Sequence, residues 1–244
     1  MQKLIGKMRA AIERYHMISE NDKIAVGISG GKDSLVLLCA LAELKRYYPV
    51  SFELVGLTID PCFHGVKTDY SKIEELCHRL EVPYRIKRTR LADIVFEERK
   101  EKNPCSLCAK MRRGILHNMA KEYGCTKIAL GHHFDDAVET FFMNLFQCGT
   151  IGCFSAVSYL SRKDLYLIRP MIFCEEKEVA FVSTKYRLPV EKSSCPVDGK
   201  TERQRTKELI VRLEREYPHL RKKVFTCACG PADLRSARRE GRSQ

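Results

Sequence analysis

The stretch that decides the fold is Ile24-Ala25-Val26-Gly27-Ile28, followed by Ser29-Gly30-Gly31-Lys32-Asp33-Ser34 and Leu35-Val36-Leu37-Leu38. An apolar strand runs through a glycine-rich turn directly into an apolar helix. Gly30 and Gly31 allow the backbone to adopt positive φ and to approach a ligand closely. The amides that open the helix, aided by its positive dipole end, point at an anion in this turn. Lys32 adds a mobile positive charge and Ser34 a hydroxyl donor. The stretch predicts a phosphate-binding loop.

The spacing of this loop is not that of a Walker A motif, Gly-x-x-x-x-Gly-Lys-Ser/Thr. The loop resembles the pyrophosphate-binding loop (PP-loop) of the ATP pyrophosphatases, which release pyrophosphate and transfer AMP to a substrate. The alternative is an ordinary Gly-Gly turn with Asp33 or Ser34 capping the helix, since both are good N-cap residues. The complete hexapeptide at a strand-helix junction favours nucleotide binding.

Length, charge and cysteine content narrow the class of protein. The chain has 244 residues, a net charge of +12 and twelve cysteines. No apolar run approaches the length of a membrane span, and the N-terminus lacks the apolar core of a signal peptide. We therefore expect a cytoplasmic protein without membrane contact, whose cysteines ligate metal, do redox chemistry or fill the core. The positive charge favours RNA or DNA as partner over ATP alone, although a merely basic surface is the alternative.

Strands and helices alternate along most of the chain. Strands are predicted at 24–28, 51–60, 84–87, 127–130 and 165–169, and helices at 67–80, 109–123, 135–146, 175–186 and 201–216. This alternation predicts an α/β fold with a doubly wound, mostly parallel sheet. Ligands of such sheets collect at the carboxyl ends of the strands, where Ser29, Asp60 and Gly131 fall.

We divide the chain into three segments. Residues 1–20 read as an amphipathic N-terminal helix, residues 21–190 as the PP-loop domain, and residues 191–244 as a helical C-terminal extension with a basic tail. The last dozen residues are rich in Arg, Ser and Gly, a composition typical of mobile ends.

A second motif, Gly131-His132-His133-Phe134-Asp135-Asp136, follows a strand and opens a helix. Two adjacent carboxylates beside a phosphate loop suit Mg²⁺, which prefers oxygen ligands and often shares substrate phosphates. The alternative makes Asp135 or Asp136 a helix N-cap, a role that is compatible with metal binding. A zinc site at the two histidines is disfavoured, because no partner lies at a familiar zinc spacing.

Pro104-Cys105-Ser106-Leu107-Cys108 contains a Cys-x-x-Cys pair that we place immediately before a helix. Such a pair can bind a metal or cluster, or form a redox couple. Cys195, followed by Pro196 in a polar loop, is the most plausible third partner. Three cysteines leave one iron of a [4Fe–4S] cluster without a protein ligand.

Two further segments support a family resemblance. They are Cys105-Ser106-Leu107-Cys108-Ala109-Lys110-Met111-Arg112-Arg113-Gly114 and Lys127-Ile128-Ala129-Leu130-Gly131-His132-His133. Together with the loop and Cys195, they resemble the TtcA family of tRNA 2-thiocytidine synthetases over about residues 20 to 210. The resemblance implies an adenine nucleotide alpha hydrolase-like fold, ATP, Mg²⁺ on Asp136, and a [4Fe–4S] cluster on Cys105, Cys108 and Cys195. It also implies ATP contacts from Gly27, Ile28, Ser29, Asp33, Ile59, Arg112, Gly131 and Asp136, beside the loop residues Gly30, Gly31, Lys32 and Ser34.

Two features depart from that family. The late motif reads Ser194-Cys195-Pro196-Val197 where these enzymes usually carry a second Cys-x-x-Cys, which weakens the choice of cytidine over uridine. The pair Cys227 and Cys229 is not part of the family pattern, and we favour a structural or incidental role for it over sulfur relay. Core filling is favoured for most of the remaining cysteines: Cys39, Cys77, Cys125, Cys148, Cys153 and Cys174.

Basic residues flank the cysteine motifs and continue to the C-terminus. They are Lys110, Arg112, Arg113, Arg203, Arg205, Lys207, Arg221, Lys222, Lys223, Arg235, Arg238, Arg239 and Arg242. Such residues supply phosphate affinity without base specificity, although each one alone reads equally well as a solvated helix face. The target base has to be unstacked to reach the site.

The resulting hypothesis is an ATP-dependent tRNA sulfurtransferase with catalytic residues Cys105, Cys108, Cys195, Arg112 and Asp136. It adenylates the C2 oxygen of a tRNA pyrimidine and replaces that oxygen with sulfur from sulfide or a cysteine desulfurase, and the resemblance implies a homodimer. The alternatives are a 2-thiouridine synthetase, a persulfide-based thiolase without a cluster, a lysidine-synthetase-like ligase, and a non-enzymatic RNA-binding iron–sulfur protein.

Overall fold

A computed structural model describes residues 1–99, 104–191, 195 and 202–229. Its helices are α1 (Gln2–Arg14), α2 (Lys32–Lys45), α3 (Ser71–Arg79), α4 (Leu91–Asp93), α5 (Pro104–Glu122), α6 (Phe134–Cys148), α7 (Glu176–Lys185), α8 (Glu202–Glu216) and α9 (Leu220–Val224). Its strands are β1 (Asp22–Gly27), β2 (Phe52–Asp60), β3 (Tyr84–Arg88), β4 (Lys127–Ala129), β5 (Val157–Leu160) and β6 (Leu165–Ile168).

The six strands form one sheet in the order β3-β2-β1-β4-β6-β5. The first five strands of that order are parallel, and β5 pairs antiparallel with β6 at one edge. The chain first builds outward from β1 to β3, then returns to β4 on the other side of β1. The gap between β1 and β4 is therefore the switch point at which doubly wound folds bind ligands. The predicted fold class is confirmed.

Both faces of the sheet are covered by helices. Ile24 and Val26 of β1 contribute to a core that includes residues of α1, α2 and α7, whereas Ala25 contributes to a core built with α5. This division follows from the two-residue period of a strand. The N-terminal helix shares the main core with the sheet, since Leu4 and Met8 are buried in it.

The structure corrects three details of the sequence interpretation. Helix α5 begins at Pro104, so Cys105 and Cys108 lie in its first turn and not before it. The edge strand β5, the short helices α4 and α9, and the π-helical turns Ile94–Glu98 and Phe225–Cys229 were not predicted. Cys148 is exposed and Cys153 half-buried, so core filling is wrong for Cys148, whereas it holds for Cys39, Cys77, Cys125 and Cys174. The basic tail beyond residue 229 lies outside the described residues.

A buried hydrogen-bond chain fixes the strand end that leads into the PP-loop. The Thr58 hydroxyl donates to the Ile28 carbonyl at 2.9 Å and accepts from the Tyr84 hydroxyl at 2.7 Å. The Ile28 amide donates to the Leu57 carbonyl at 2.8 Å. Both polar atoms of Ile28 are thus held by β2. No helix in the described part of the chain is long and apolar enough to span a membrane.

Thr58→Val should lower the free energy of unfolding by about 1–3 kcal/mol, because it leaves the Ile28 carbonyl and the Tyr84 hydroxyl unpaired in the core. Tyr84→Phe should cost less, since Thr58 keeps its bond to Ile28. Urea unfolding of the two single variants and the double variant provides the test. We expect the double variant to cost less than the sum of the two, and strictly additive costs would contradict this coupling.

Candidate functional site

The PP-loop is shaped by bonds within itself. The Ser34 hydroxyl is buried, donates to the Gly31 carbonyl at 2.9 Å and lies 3.1 Å from the Ser29 amide nitrogen, whose hydrogen it accepts. Gly30 has φ of +87°, the left-handed region that favours glycine. Helix α2 has Gly31 as its N-cap, and no side chain among the described residues caps it. The capping alternative for Asp33 or Ser34 is therefore wrong, and the first amides of α2 are left for an anion.

Gly131, at the end of β4, lies directly against the start of α2. A Cβ atom at Gly131 would be 3.0 Å from the Asp33 carbonyl carbon and 3.1 Å from the Ser34 amide nitrogen. Neither backbone atom can yield without moving the loop. The structure thus joins the two predicted motifs in the gap between β1 and β4.

Lys32 is held by two acids. Its ammonium lies 3.1 Å from Asp33 Oδ1 and 3.4 Å from Glu176 Oε1 at the start of α7. Burial tends to lower the pKa of Lys32, but the charges of Asp33 and Glu176 outweigh it, so the pKa is raised. Lys207 of α8 shares the same acid, with its Nζ 2.6 Å from Glu176 Oε2.

The two adjacent aspartates have different roles. The Asp136 Oδ2 accepts from the His133 amide at 2.9 Å, which completes a capping box with His133 as N-cap of α6. The N-cap is therefore neither Asp135 nor Asp136. Asp135 is buried, accepts from the Glu176 amide at 2.7 Å, and pairs with Arg221 at 2.7 Å. Asp135 thus links α6, α7 and α9, whereas Asp136 keeps Oδ1 for a charged partner.

That partner is Arg203 of α8. Its Nη1 lies 2.9 Å from Asp136 Oδ1 and 3.2 Å from Glu139 Oε2. Glu139 is buried, which raises its pKa, and the charge of Arg203 opposes that shift. Arg203, Lys207 and Arg221 were predicted to face RNA, and the structure instead pairs them with acids of the site. The sequence offers no signal for these pairs, because their partners are up to 86 residues away.

His132 is neutral at pH 7. Burial lowers its pKa to about 4, and its ring packs on Phe154 with 5.0 Å between the centroids. The nearby carboxylate of Asp136 opposes the shift without reversing it. His132 therefore adds no positive charge beside Asp136.

Two of the three predicted cluster cysteines lie on helix α5, and the third acts electrostatically on one of them. Cys105 and Cys108 are three residues apart in the first turn of α5, a spacing that places them on one helix face. Burial raises the pKa of Cys108; Arg112 opposes this shift, and the negative charges of Cys195 and Cys105 add to it. Cys108 thus interacts electrostatically with both other thiols. The flanking residues 192–194 and 196–201 lie outside the described residues.

The residues beside Gly30 relate the PP-loop to the chain segments that carry the three cysteines. A Cβ at Gly30 would lie 3.8 Å from Tyr70 Cε1, and the pKa of Tyr70, raised by burial, is lowered in part by Arg112. Arg112 acts in the same way on Cys108. From the other side, the Glu191 amide donates to the Gly30 carbonyl at 3.0 Å, four residues before Cys195. Tyr70 and Glu191, both missed from sequence, therefore flank Gly30 of the PP-loop.

Comparison with known proteins agrees with this arrangement. A model of the PP-loop domain family matches residues 2–216. The tRNA-cytidine(32) 2-sulfurtransferase of Syntrophotalea carbinolica is 39% identical over 230 residues, covering 92% of this chain and 86% of that protein. The one of Geobacter sulfurreducens is 36% identical over 231 residues, covering 92% and 88%. The chain belongs to the PP-loop tRNA sulfurtransferases.

A solved structure extends the comparison to three dimensions. The U34-tRNA thiolase NcsA from Methanococcus maripaludis, determined with its [4Fe-4S] cluster, superposes with a TM-score of 0.76 at 25% identity. The match covers 100% of this chain and 79% of NcsA. The PP-loop sulfurtransferase therefore shares its whole fold with a cluster-containing thiolase.

The donor atoms fit the two inorganic groups that this family implies. Among the described residues, which include Cys105, Cys108 and Cys195, no three His, Cys, Asp or Glu side chains are grouped so that they could hold a metal ion. Mg²⁺ needs no such site, because it commonly takes one or two carboxylates and completes its shell with water and phosphates. Asp136 Oδ1 offers such a carboxylate. Cys105, Cys108 and Cys195 offer the thiolates that bind iron–sulfur clusters.

The remaining predicted nucleotide contacts lie along the same edge. Gly27 ends β1, Ile28 precedes the loop, and Ile59 lies near the end of β2. Asp60, buried at that strand end, accepts from the Cys62 and Thr68 amides and so orders the following loop. Gly27, Ile28 and Ile59 stay predicted contacts.

Gly131→Ala should weaken ATP binding at least about tenfold, because the added methyl group displaces the start of α2. Gly114→Ala is the matched control: nothing lies within 4 Å of its added Cβ, and alanine is a better helix former there. Titration with a fluorescent ATP analogue measures both. Equal affinity of Gly131→Ala and the unaltered protein would show that the close approach does not shape the loop.

Proposed function

We propose that the chain is an ATP-dependent tRNA 2-thiolase that acts on a cytidine. The observation that supports this most directly is the bond of 3.0 Å from the Glu191 amide to the Gly30 carbonyl, which brings the residue four positions before Cys195 to the PP-loop. On its other side, a Cβ at Gly30 would lie 3.8 Å from Tyr70 Cε1, and Arg112 acts electrostatically on Tyr70 and on Cys108. We infer that the nucleotide site and the cysteines work together.

ATP is proposed to bind with its phosphates on the open amides of α2 and on Lys32. Lys32 is preformed for this role, since its ammonium is already held at the loop by Asp33 and Glu176. Mg²⁺ on Asp136, when bound, supplies positive charge at the phosphates. The C2 oxygen of the pyrimidine attacks the α-phosphorus, the bond to the β-phosphate oxygen breaks, and pyrophosphate leaves.

Adenylation makes the C2 oxygen a leaving group. A hydrosulfide sulfur then forms a bond to C2, the C2–O bond breaks, and AMP leaves with that oxygen. The proton that the hydrosulfide carried is released to solvent. No electron transfer is required, because the sulfur enters at the oxidation level of sulfide. Cys105, Cys108 and Cys195 would hold the cluster, which supplies an open iron for the incoming sulfur.

Arg112 is the residue in a position to serve both halves. It acts electrostatically on Tyr70 beside Gly30 and on Cys108. Its fixed positive charge can stabilise anionic groups on either side, whether phosphate or thiolate. We therefore keep Arg112 among the proposed catalytic residues.

Cytidine is proposed over uridine because both relatives described above carry that substrate in their names, at 36–39% identity. NcsA, named for a uridine, is less similar at 25%. Exposed cations on α5 and α8, such as Lys110, Arg113 and Arg205, offer phosphate contacts for tRNA. The sulfur donor is proposed to be sulfide or a cysteine desulfurase, and the active form a homodimer.

A persulfide on Cys105 or Cys108 is the second candidate, because the two thiols are three residues apart on one helix face and could form the disulfide that such a transfer leaves behind. Iron content separates the two candidates. A cluster requires about four irons per chain and visible absorbance after anaerobic purification, and a persulfide requires neither.

Cys105→Ala should abolish cluster absorbance and the formation of 2-thiocytidine in tRNA, because two thiolates do not hold the cluster. Cys148→Ala, which removes an exposed thiol at the end of α6, should change neither. Both variants are purified anaerobically, supplied with ATP, Mg²⁺, sulfide and tRNA, and the tRNA nucleosides are analysed by mass spectrometry.

Normal thiolation by Cys105→Ala would exclude the cluster role. Iron-free protein that thiolates with a persulfide donor would favour the second candidate. The product identifies the base: 2-thiouridine in place of 2-thiocytidine would overturn the choice of cytidine.

A further inference from the structure

The Asp136 carboxylate is already paired with a cationic side chain, that of Arg203. Its Oδ2 is occupied by the His133 amide in the capping box, at 2.9 Å. The other oxygen, Oδ1, lies 2.9 Å from the Arg203 guanidinium. The oxygen of Asp136 that no backbone amide occupies is therefore the one that Arg203 holds.

The guanidinium and a divalent cation are poorly compatible at that oxygen. Mg²⁺ binds carboxylate oxygens at about 2.0–2.1 Å. With Arg203 Nη1 only 2.9 Å from the same atom, two positive groups would lie within a few ångströms of each other and repel. Arg203 also serves Glu139, whose carboxylate is 7% exposed, so the guanidinium neutralises an acid pair on successive turns of α6.

Helix α8 has a second attachment that does not depend on Asp136. Lys207 lies 2.6 Å from Glu176, and Glu176 also pairs with Lys32 of the PP-loop at 3.4 Å. If Lys32 turns toward a bound phosphate, Glu176 keeps Lys207. The first turn of α8 can then be released while the rest of the helix stays attached.

We propose that Arg203 is a built-in counter-cation that occupies the metal position at Asp136 until Mg²⁺·ATP displaces it. Displacement frees the first turn of α8, the end of the helix that follows Cys195 by seven residues. Loading of the nucleotide site thereby changes the attachment of the amino end of α8. This inference rests on the proposed nucleotide function and adds a regulatory link between its two halves.

The first test is the magnesium requirement of nucleotide binding. Arg203→Gln should lower the Mg²⁺ concentration for half-maximal binding of a fluorescent ATP analogue about two- to fivefold, the range expected for removing one partly exposed competing charge. Arg212→Gln is the matched control, because Arg212 is an exposed arginine of the same helix, nine residues from Arg203. Its magnesium requirement should not change.

Because Arg203→Gln leaves Glu139 buried without its partner, the double variant Arg203→Gln/Glu139→Gln is measured as well. It removes both charges, keeps Asp136, and should show the same lowered requirement. An unchanged or increased magnesium requirement in the double variant would overturn the proposal, since Arg203 would then support metal binding and not compete with it.

The second test follows α8 itself. The chain contains no tryptophan, so Gln204→Trp places a single fluorophore beside Arg203 on an exposed position, and Arg212→Trp places one further along the helix. ATP with Mg²⁺ should change the emission at position 204 and leave that at 212 unchanged, whereas ATP with a chelator should change neither. Equal responses at both positions, or none at 204, would contradict a release limited to the first turn.

Neither test uses tRNA or sulfur transfer. Nucleotide binding without these effects would refute the counter-cation and leave the proposed thiolation intact. If both effects are present but the protein does not thiolate tRNA, the counter-cation is supported and the proposed thiolation is refuted.

Discussion

The uncapped amino end of α2 is the constraint on which the rest of the site depends. No side chain in the described part of the chain caps it, which leaves its first amides open beside the switch point between β1 and β4. The strand order opens that gap, because the chain winds outward from β1 in both directions. Gly131 closes it from the β4 side with only backbone contact to Asp33 and Ser34. A ligand that satisfies these amides has to be an anion, and a small one at the point of contact.

Acidic and basic side chains around this gap already form ion pairs with one another before any nucleotide binds. Lys32, Lys207 and Glu176 form one cluster, and Arg203 with Asp136 and Glu139 forms another. Partly exposed pairs of this kind contribute little to folding stability. Their arrangement instead determines which ion pairs a bound nucleotide must break or exchange. Arg112 of α5 acts electrostatically both on Tyr70, beside Gly30, and on Cys108.

Much of this could be predicted from sequence, because the signals are local. The PP-loop hexapeptide, the alternation of strands and helices, and the Cys-x-x-Cys motif each lie within a few consecutive residues. The start of α5 was predicted five residues too late, because the sequence interpretation placed Pro104 in a loop. Proline is tolerated in the first turn of a helix, and α5 includes Pro104 there. Arg203 and Glu191 were missed as site residues because their partners, Asp136 and Gly30, are distant in sequence. Their roles arise only when α8 and the segment before Cys195 fold back on the sheet.

The central claim is that one site couples AMP transfer from ATP to sulfur insertion at C2 of a tRNA base. A single-turnover reaction with anaerobically purified protein, labelled ATP, sulfide and tRNA measures this directly. AMP, pyrophosphate and 2-thiocytidine should form in equal amounts. ADP with phosphate as products, or thionucleoside formed without AMP, would contradict the account.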